Sequence, residues 1–418
     1  MLLCNYDRLD EKIKVFSGFG KEQPFASVSP AGTITRLSLS PAAILARKEI
    51  IRRCEKMGMN VSFDDMGNIY AVLSGSEDLP AISSGSHCDS VIHGGNYDGI
   101  LGVLAALEVI ETIYTEKIPH RHPITLLVWT NEEGARFEPA MMSSGVITGK
   151  FDQEKMYSSA DSDGITFKQA LIESGFMGAK ENRFSPERYK AFLELHIEQG
   201  PVLEAEKIDI GILEGVVGMV NYDITVQGQA GHAGTTPMNY RKDALYAASK
   251  IILYLHEELD RLEEGYGSRS LVYTTGRLNV YPGVHTVIPE KVSFSIDIRH
   301  KDPEIIKKAV LVIESIPAVI EKCTVESSLS WNRKTALFNK NIVDTNEKNA
   351  ELLGYSNKRM YSGPGHDAQF VSDIVPTAMI FVPSIGGHSH SELEYTPTEA
   401  CLKGANVLLN TVLDLDKE

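Results

Sequence analysis

Four short polar clusters carry most of the chain's imidazole and paired-carboxylate chemistry: His87-Cys88-Asp89, Glu132-Glu133, His196 and His388-Ser389-His390. Each follows or closes a run of strand type, at residues 80–86, 124–129, 191–195 and 377–382. In open α/β sheets, ligands bind in the crevice beyond the carboxyl ends of strands, so groups far apart in the chain can converge there. A fifth group, Asp98, lies in Gly94-Gly95-Asn96-Tyr97-Asp98-Gly99 at the entry to the next helix, and glycines let backbone approach a site closely. Imidazole and carboxylate without thiolate suit zinc, manganese, cobalt or nickel. Five such groups exceed what one catalytic zinc needs and would serve two ions with one carboxylate bridging them. Neighbouring side chains in extended backbone point to opposite sides. One of Glu132 and Glu133 can therefore ligate metal while the other faces a substrate pocket as general base. Singly, each feature has an ordinary explanation: a buried histidine, a solvated acid pair, a polar loop, a turn. Their shared placement after strand ends is what points to a metal site.

Positioning these groups requires alternating strands and helices. Ser40-Pro41 reads as an N-cap followed by proline at the first helical position, and Gly58 as the stop, which predicts a helix of about four turns. Residues 68–73, 80–86, 124–129 and 191–197 read as strands. Residues 100–114 repeat apolar side chains at Ile100, Val103, Leu104, Leu107 and Ile110, the spacing of a helix. The run Ile-Thr-Leu-Leu-Val-Trp at 124–129 is that of a strand buried on both faces. This alternation predicts an α/β domain with a largely parallel sheet. The pattern then changes to a strand at 222–226, a long amphipathic helix at 241–262, alternating strands at 271–281 and 291–299, a helix at 303–320 and a strand at 324–331. That order, β-α-β-β-α-β, is the ferredoxin-like unit. A helix at 345–353 and an apolar strand at 377–382 return to the first style. The expected class is α/β: a catalytic domain in two parts, 1–218 and 332–418, with a mostly parallel central sheet, interrupted by a ferredoxin-like α+β domain at 219–331.

The 418 residues suit two or three domains at ~100–200 residues each. Lys plus Arg is 41 against 56 Asp plus Glu, a net charge of −15. Such a surface repels phosphate backbones and anionic headgroups, so neither a nucleic-acid nor a membrane partner is expected. No apolar stretch approaches the ~18–20 residues that span a bilayer, and the N-terminus lacks the basic and apolar regions of a secretory signal. Cys4, Cys54, Cys88, Cys323 and Cys401 are scattered and form no C-x-x-C pair. They read as reduced thiols of a cytoplasmic protein. The absence of a G-x-x-x-x-G-K-[ST] string argues against a nucleotide-binding enzyme.

Longer strings around these groups carry a resemblance: Gly85-Ser86-His87-Cys88-Asp89-Ser90, Thr130-Asn131-Glu132-Glu133-Gly134-Ala135-Arg136-Phe137, His196-Ile197-Glu198-Gln199-Gly200-Pro201, Gly231-His232-Ala233-Gly234-Thr235-Thr236-Pro237-Met238, Asp297-Ile298-Arg299 and Gly365-His366-Asp367-Ala368. The chain resembles the dinuclear metal amidohydrolases that include N-carbamoyl-L-amino-acid hydrolase, β-ureidopropionase and allantoate amidohydrolase, within the wider family of zinc aminopeptidases and aminoacylases. The resemblance implies two divalent ions per subunit, held by His87, Asp98, Glu133, His196 and His390, with Asp98 as the bridge. It implies Glu132 as general base and Asp89 as the carboxylate that orients His87. It implies that Gln199, His232 and Arg299 contact a small carboxylate-bearing substrate, with His232 also stabilising the oxyanion. A guanidinium suits a carboxylate because it forms two parallel charge-assisted bonds. In the family the loop carrying His232 reaches into the partner subunit's site, so a homodimer is implied, with the inserted domain serving dimerisation and closing as a lid over the substrate.

Three departures from the family pattern stand out. Where relatives show P-N-x-x-N-V-I-P, this chain reads Pro282-Gly283-Val284-His285-Thr286-Val287-Ile288-Pro289, and a threonine hydroxyl cannot reproduce the reach and donor pair of the asparagine amide it replaces. The usual S-H-S-P-E-E is Ser389-His390-Ser391-Glu392-Leu393-Glu394, with His388 as a rival ligand two residues upstream; the motif favours His390. Cys88 replaces an aliphatic residue and reads as packing. The implied reaction is hydrolysis of a ureido or amide C–N bond. The nearest rivals are a metal aminopeptidase or N-acyl-amino-acid hydrolase, which would release no ammonia, and an inactive binding homologue, which would take up no metal.

Overall fold

The run Ile124–Trp129 is buried at every position and lies inside a sheet. The computed structural model describes residues 1–22, 32–265 and 270–418. Ala81–His87 pairs parallel with Ile124–Trp129 on one side and with Tyr189–Ile197 on the other, and Thr377–Val382 pairs parallel with Tyr189–Ile197. Parallel strands share one carboxyl edge. His87 therefore lies opposite Trp129, and His196 opposite Phe381. The Glu132 turn and the segment after Val382 leave from that same edge. The flanks run the other way: the hairpin Asn60–Phe63 and Ile69–Leu73 adds antiparallel beside Ile124–Trp129, and Ile210–Val216 adds antiparallel beside Thr377–Val382. The sheet is thus mixed, with four parallel strands at its centre, and the chain has a mixed α/β fold.

Helix Ile100–Thr115 packs on this sheet and is buried on nearly every face. Glu108 sits within it, fully buried, and interrupts its apolar run. An unpaired carboxylate there would be expelled or neutralised. Lys12 and Arg8, from helix Tyr6–Phe16, each come to 2.7 Å from it. Helix Pro41–Lys56 has the capping read from the sequence: the Ser40 side chain accepts from Ala43 N–H and Pro41 occupies the first turn. Among the described residues no helix is long and apolar enough to cross a membrane.

The chain divides into two compact units, Met1–Gly215 with Leu337–Glu418, and Val216–Ala336. The second extends a few residues beyond 219–331 at each end because its central strand Gly218–Gln227 and that strand's neighbour Cys323–Arg333 are longer than their apolar cores, with Met219 opposite Arg333. Lys291–His300 pairs on the other side of the central strand, and Val272–Tyr281 lies beyond it, all antiparallel. Helices Ala244–Glu264 and Pro303–Glu314 bury Ile251, Leu255, Leu259, Ile305, Ala309 and Ile313 against Val220, Ile224, Phe294, Ile296 and Ile298. The second helix stops at Glu314, short of the expected 320, because the residue before Pro317 is disfavoured in the helical region. The first begins at Ala244, where the Asp243 side chain accepts from Leu245 and Tyr246 N–H.

Candidate metal centre

His87 is the last residue of its strand and His196 the next to last of its own; both are 1% exposed. His87 Nδ1 lies 3.0 Å from the Asp89 backbone oxygen and His196 Nδ1 2.9 Å from the Ile197 carbonyl. A carbonyl only accepts, so Nδ1 carries a proton in both rings and Nε2 is the nitrogen turned inward. The two Nε2 atoms lie 3.7 and 3.2 Å from Asp98 Oδ1. Asp98 Oδ2 lies 3.3 Å from His390 Nε2, which is itself 3.3 Å from Glu133 Oε2. One carboxylate thus places one oxygen in each of two trios, His87–Asp98–His196 and Asp98–Glu133–His390. Within each trio, the candidate ligand atoms lie within 4.8 Å of one another.

These residues fit divalent metal. Two ligand atoms ~2.1 Å from one tetrahedral ion stand ~3.4 Å apart, and the four spacings here run from 3.2 to 3.7 Å. Burial holds His87 below the ordinary imidazole range, so it is neutral. Its Nε2 lone pair then faces Asp98 Oδ1, a carboxylate held ionised, a repulsive arrangement that a cation resolves. Glu133 Oε1 is buried without a hydrogen-bond partner among the described residues.

The charge balance points the same way. Burial, with repulsion from Asp98, lifts Glu133 and Glu394 to about 7. Burial and the carboxylates of Asp367, Glu133 and Asp98 lift Glu132 well above the usual range. Asp98 is held well below it; burial opposes ionisation there, and contacts with His196 and His390 overcome that. Burial disfavours a charged His196, but Asp98 outweighs it and holds the group up to about 9. Asp98 and Glu133 together hold His390 up to about 11. Acids this crowded away from water call for added positive charge. Glu132, an acid beside the trios with its proton affinity raised, is suited to accept and return a proton.

The first unit gathers all five presumed ligands, and Asp89, Glu132 and Gln199 with them. The Asp89 carboxylate, expected to orient His87, stands 3.8 Å from Nδ1; the Asp89 backbone oxygen makes that contact, while Oδ2 accepts the Glu133 N–H at 3.2 Å. A residue two positions on presents its carbonyl to the ring more readily than its own short side chain. Gln199, read as a substrate contact, donates through Nε2 to Asp98 Oδ2 at 2.7 Å. His390, not His388, joins the second trio. A third group, Glu194–His196–His366, also clusters, but the chain already uses its atoms. Glu194 accepts from Ser86 Oγ at 2.6 Å and Ala368 N–H at 3.3 Å, and His366 pairs with Ser362 Oγ at 2.8 Å while meeting the His196 ring edge-on. It backs His196. The sequence reading missed Glu194 and Glu394; one lies two residues before His196 in the same strand, and the other four after His390, at the end of the Ser389–Glu394 motif.

The second unit holds His232 and Arg299. His232 lies on a short ribbon, Gly231–His232 against Val287–Ile288, and Thr286 accepts from Ala233 N–H at 2.9 Å on the same ribbon. Gly234 N–H donates to His232 Nδ1 at 3.0 Å, so Nε2 is the protonated nitrogen, a ready donor. Arg299 is gripped by Asp297 through Nε at 2.7 Å and Nη2 at 3.3 Å.

Comparison with known proteins adds an independent line. The sequence profile of Peptidase family M20/M25/M40 matches residues 75–414. An N-carbamoyl-L-amino-acid amidohydrolase of Paenarthrobacter aurescens is 32% identical over 98% of both chains. An allantoate amidohydrolase of Escherichia coli (strain K12) is 33% identical over 96% of this chain and 95% of its own. The crystal structure of an amidase of the hydantoinase/carbamoylase family from Burkholderia multivorans superposes with a TM-score of 0.90 at 35% identity, covering 100% of this chain and 99% of that one.

Proposed function

The chain belongs to peptidase family M20/M25/M40, and we propose that it is a metal-dependent amidohydrolase cleaving the C–N bond of an N-carbamoyl (ureido) group on a small acid: an N-carbamoyl-L-amino acid, N-carbamoyl-β-alanine or allantoate. The observation that carries this reading is Asp98, with one oxygen in each of two imidazole–carboxylate trios. His87, Asp98 and His196 would hold one divalent ion, and Asp98, Glu133 and His390 a second: zinc, manganese, cobalt or nickel. Such ions supply Lewis-acid polarisation of a carbonyl and activation of water.

The chain's own groups do the rest. Glu132 takes a proton from the attacking water and returns it to the leaving nitrogen. His232 offers its Nε2–H to the carbonyl oxygen as negative charge builds there. Arg299, oriented by Asp297, receives the substrate carboxylate in paired charge-assisted bonds. Cleavage of a carbamoyl group consumes one water and yields amine, ammonia and carbon dioxide. The second unit, whose main strands are ordered Val272–Tyr281, Lys291–His300, Gly218–Gln227, Cys323–Arg333 with two helices on one face, suits a ferredoxin-like lid and dimerisation domain, so we read the protein as a homodimer. A cytoplasmic setting agrees with five cysteines that are all unpaired and buried.

The test is ammonia release from allantoate, N-carbamoyl-β-alanine and several N-carbamoyl-L-amino acids, with a dipeptide control, each with added manganese, zinc, cobalt or nickel. Ammonia from at least one ureido substrate is expected. Dipeptide cleavage without ammonia from any of them would overturn the reading in favour of an aminopeptidase.

A further inference from the structure

We propose that Glu394 is a positioning residue that fixes the Asp98 carboxylate and the His390 loop relative to each other, an inference that rests on reading Asp98 as the shared ligand. Glu394 is fully buried. Its Oε1 accepts two consecutive backbone N–H groups, from Tyr97 at 2.8 Å and Asp98 at 3.0 Å. Its Oε2 lies 3.2 Å from Ser389 Oγ, and that same hydroxyl lies 2.9 Å from Asp98 Oδ2. The Ser389 hydroxyl, with one proton to give, stands between the two carboxylates and nearer Asp98, so contacts run from the Asp98 backbone through Glu394 and Ser389 back to the Asp98 side chain. Two amides on one oxygen fix the peptide from which the Asp98 side chain springs, and the hydroxyl fixes the carboxylate's far oxygen, so both ends of the bridging residue are held. Ser389 immediately precedes His390, so the same contacts tie down the second trio's histidine.

Gly95 gives a second, independent view of this clamp. A Cβ there would lie 2.2 Å from Glu394 Cδ and 2.3 Å from its Cβ. The carboxylate therefore packs onto the bare Cα of Gly95, and any side chain at 95 would push Glu394 off its two amides. Substitutions on two loops 299 positions apart in the sequence should then give one phenotype.

The test measures manganese stoichiometry and affinity by calorimetry on the full chain, together with thermal melting of the metal-free protein. Glu394→Ala and Gly95→Ala should each weaken manganese binding about ten- to hundredfold, as loss of groups that orient ligands does, and should lower the melting temperature of the manganese-loaded protein by more than that of the metal-free protein. Glu394→Gln, which keeps one acceptor for the two amides, should recover part of the loss. Ser389→Ala, which removes only the hydroxyl, should show a smaller effect and guards against failure of a buried variant to fold. Unchanged manganese binding in Glu394→Ala and Gly95→Ala overturns the inference. So does a drop in metal-free melting as large as the drop in the loaded protein, which would make Glu394 a residue of the fold alone. A parent chain that takes up none of manganese, zinc, cobalt and nickel overturns the metal reading itself.

Discussion

The two trios share Asp98 and differ in what holds them. In His87–Asp98–His196 both histidines are ladder residues of parallel strands, 1% exposed, with each ring locked by a backbone carbonyl. In Asp98–Glu133–His390 the other two ligands hang on connections. Glu133 lies in a turn between Asn131 and Gly134, both at positive φ, and His390 is itself at φ 53° with its side chain 51% exposed. A strand end fixes a side chain through hydrogen bonds made by the whole sheet. A loop ligand depends on a few braces: the Asp89 carboxylate on Glu133 N–H, and Gln199 and Ser389 on Asp98 Oδ2. The first trio should therefore be the more robust, the second the more easily disturbed.

The sharpest way to break this comparison is to remove what the trios share. Asp98→Ala should abolish uptake of both ions and all turnover, measured by elemental analysis and ammonia release; retention of one ion would show that a trio stands without its bridge. Glu132→Gln should keep both ions and lose turnover by about 10²–10⁴-fold, the range of a general base. His390→Ala should leave one ion bound, whereas His196→Ala should lose the first ion and weaken the second, because His196 also holds Asp98 in place; equal losses from the two variants would erase the distinction. Gln199→Leu should weaken only the second ion, about tenfold.

Protons give the finest reading of the difference. In the metal-free chain His196, held up to about 9, and His390, held higher still, are imidazolium at neutral pH, whereas His87 is neutral. Ions must displace those protons. Affinity should therefore rise as pH is raised through neutrality toward about 9 and fall as pH is lowered, with proton release seen as a buffer-dependent heat of binding.

Much of this was legible along the chain. Ile124–Trp129 announces a buried strand because nothing polar interrupts its burial except Thr125, and Ser40-Pro41 announces a helix start because its side-chain cap is local. Other elements were silent. Tyr6–Phe16 is polar on average, and the partners that bury Lys12 and brace Arg8 lie about a hundred residues away at Glu108 and Glu111. Strand Ile210–Val216 contains two glycines and a glutamate, so its apolar pattern is broken, and only pairing with neighbouring strands, Thr377–Val382 among them, defines it. Glu394 reads as the second of two acids in a polar segment until Tyr97 and Asp98 supply its partners.

By itself the sequence determined which chemical groups are available and that strand ends would deliver them to one edge, because residue type and local hydrophobic period are properties of neighbouring positions. Tertiary structure alone decided how Asp98 divides its two oxygens and that the carbonyl rather than the carboxylate of Asp89 meets His87. Those outcomes depend on the directions of side chains from segments as much as three hundred residues apart, and direction exists only once the sheet has set their backbones in register.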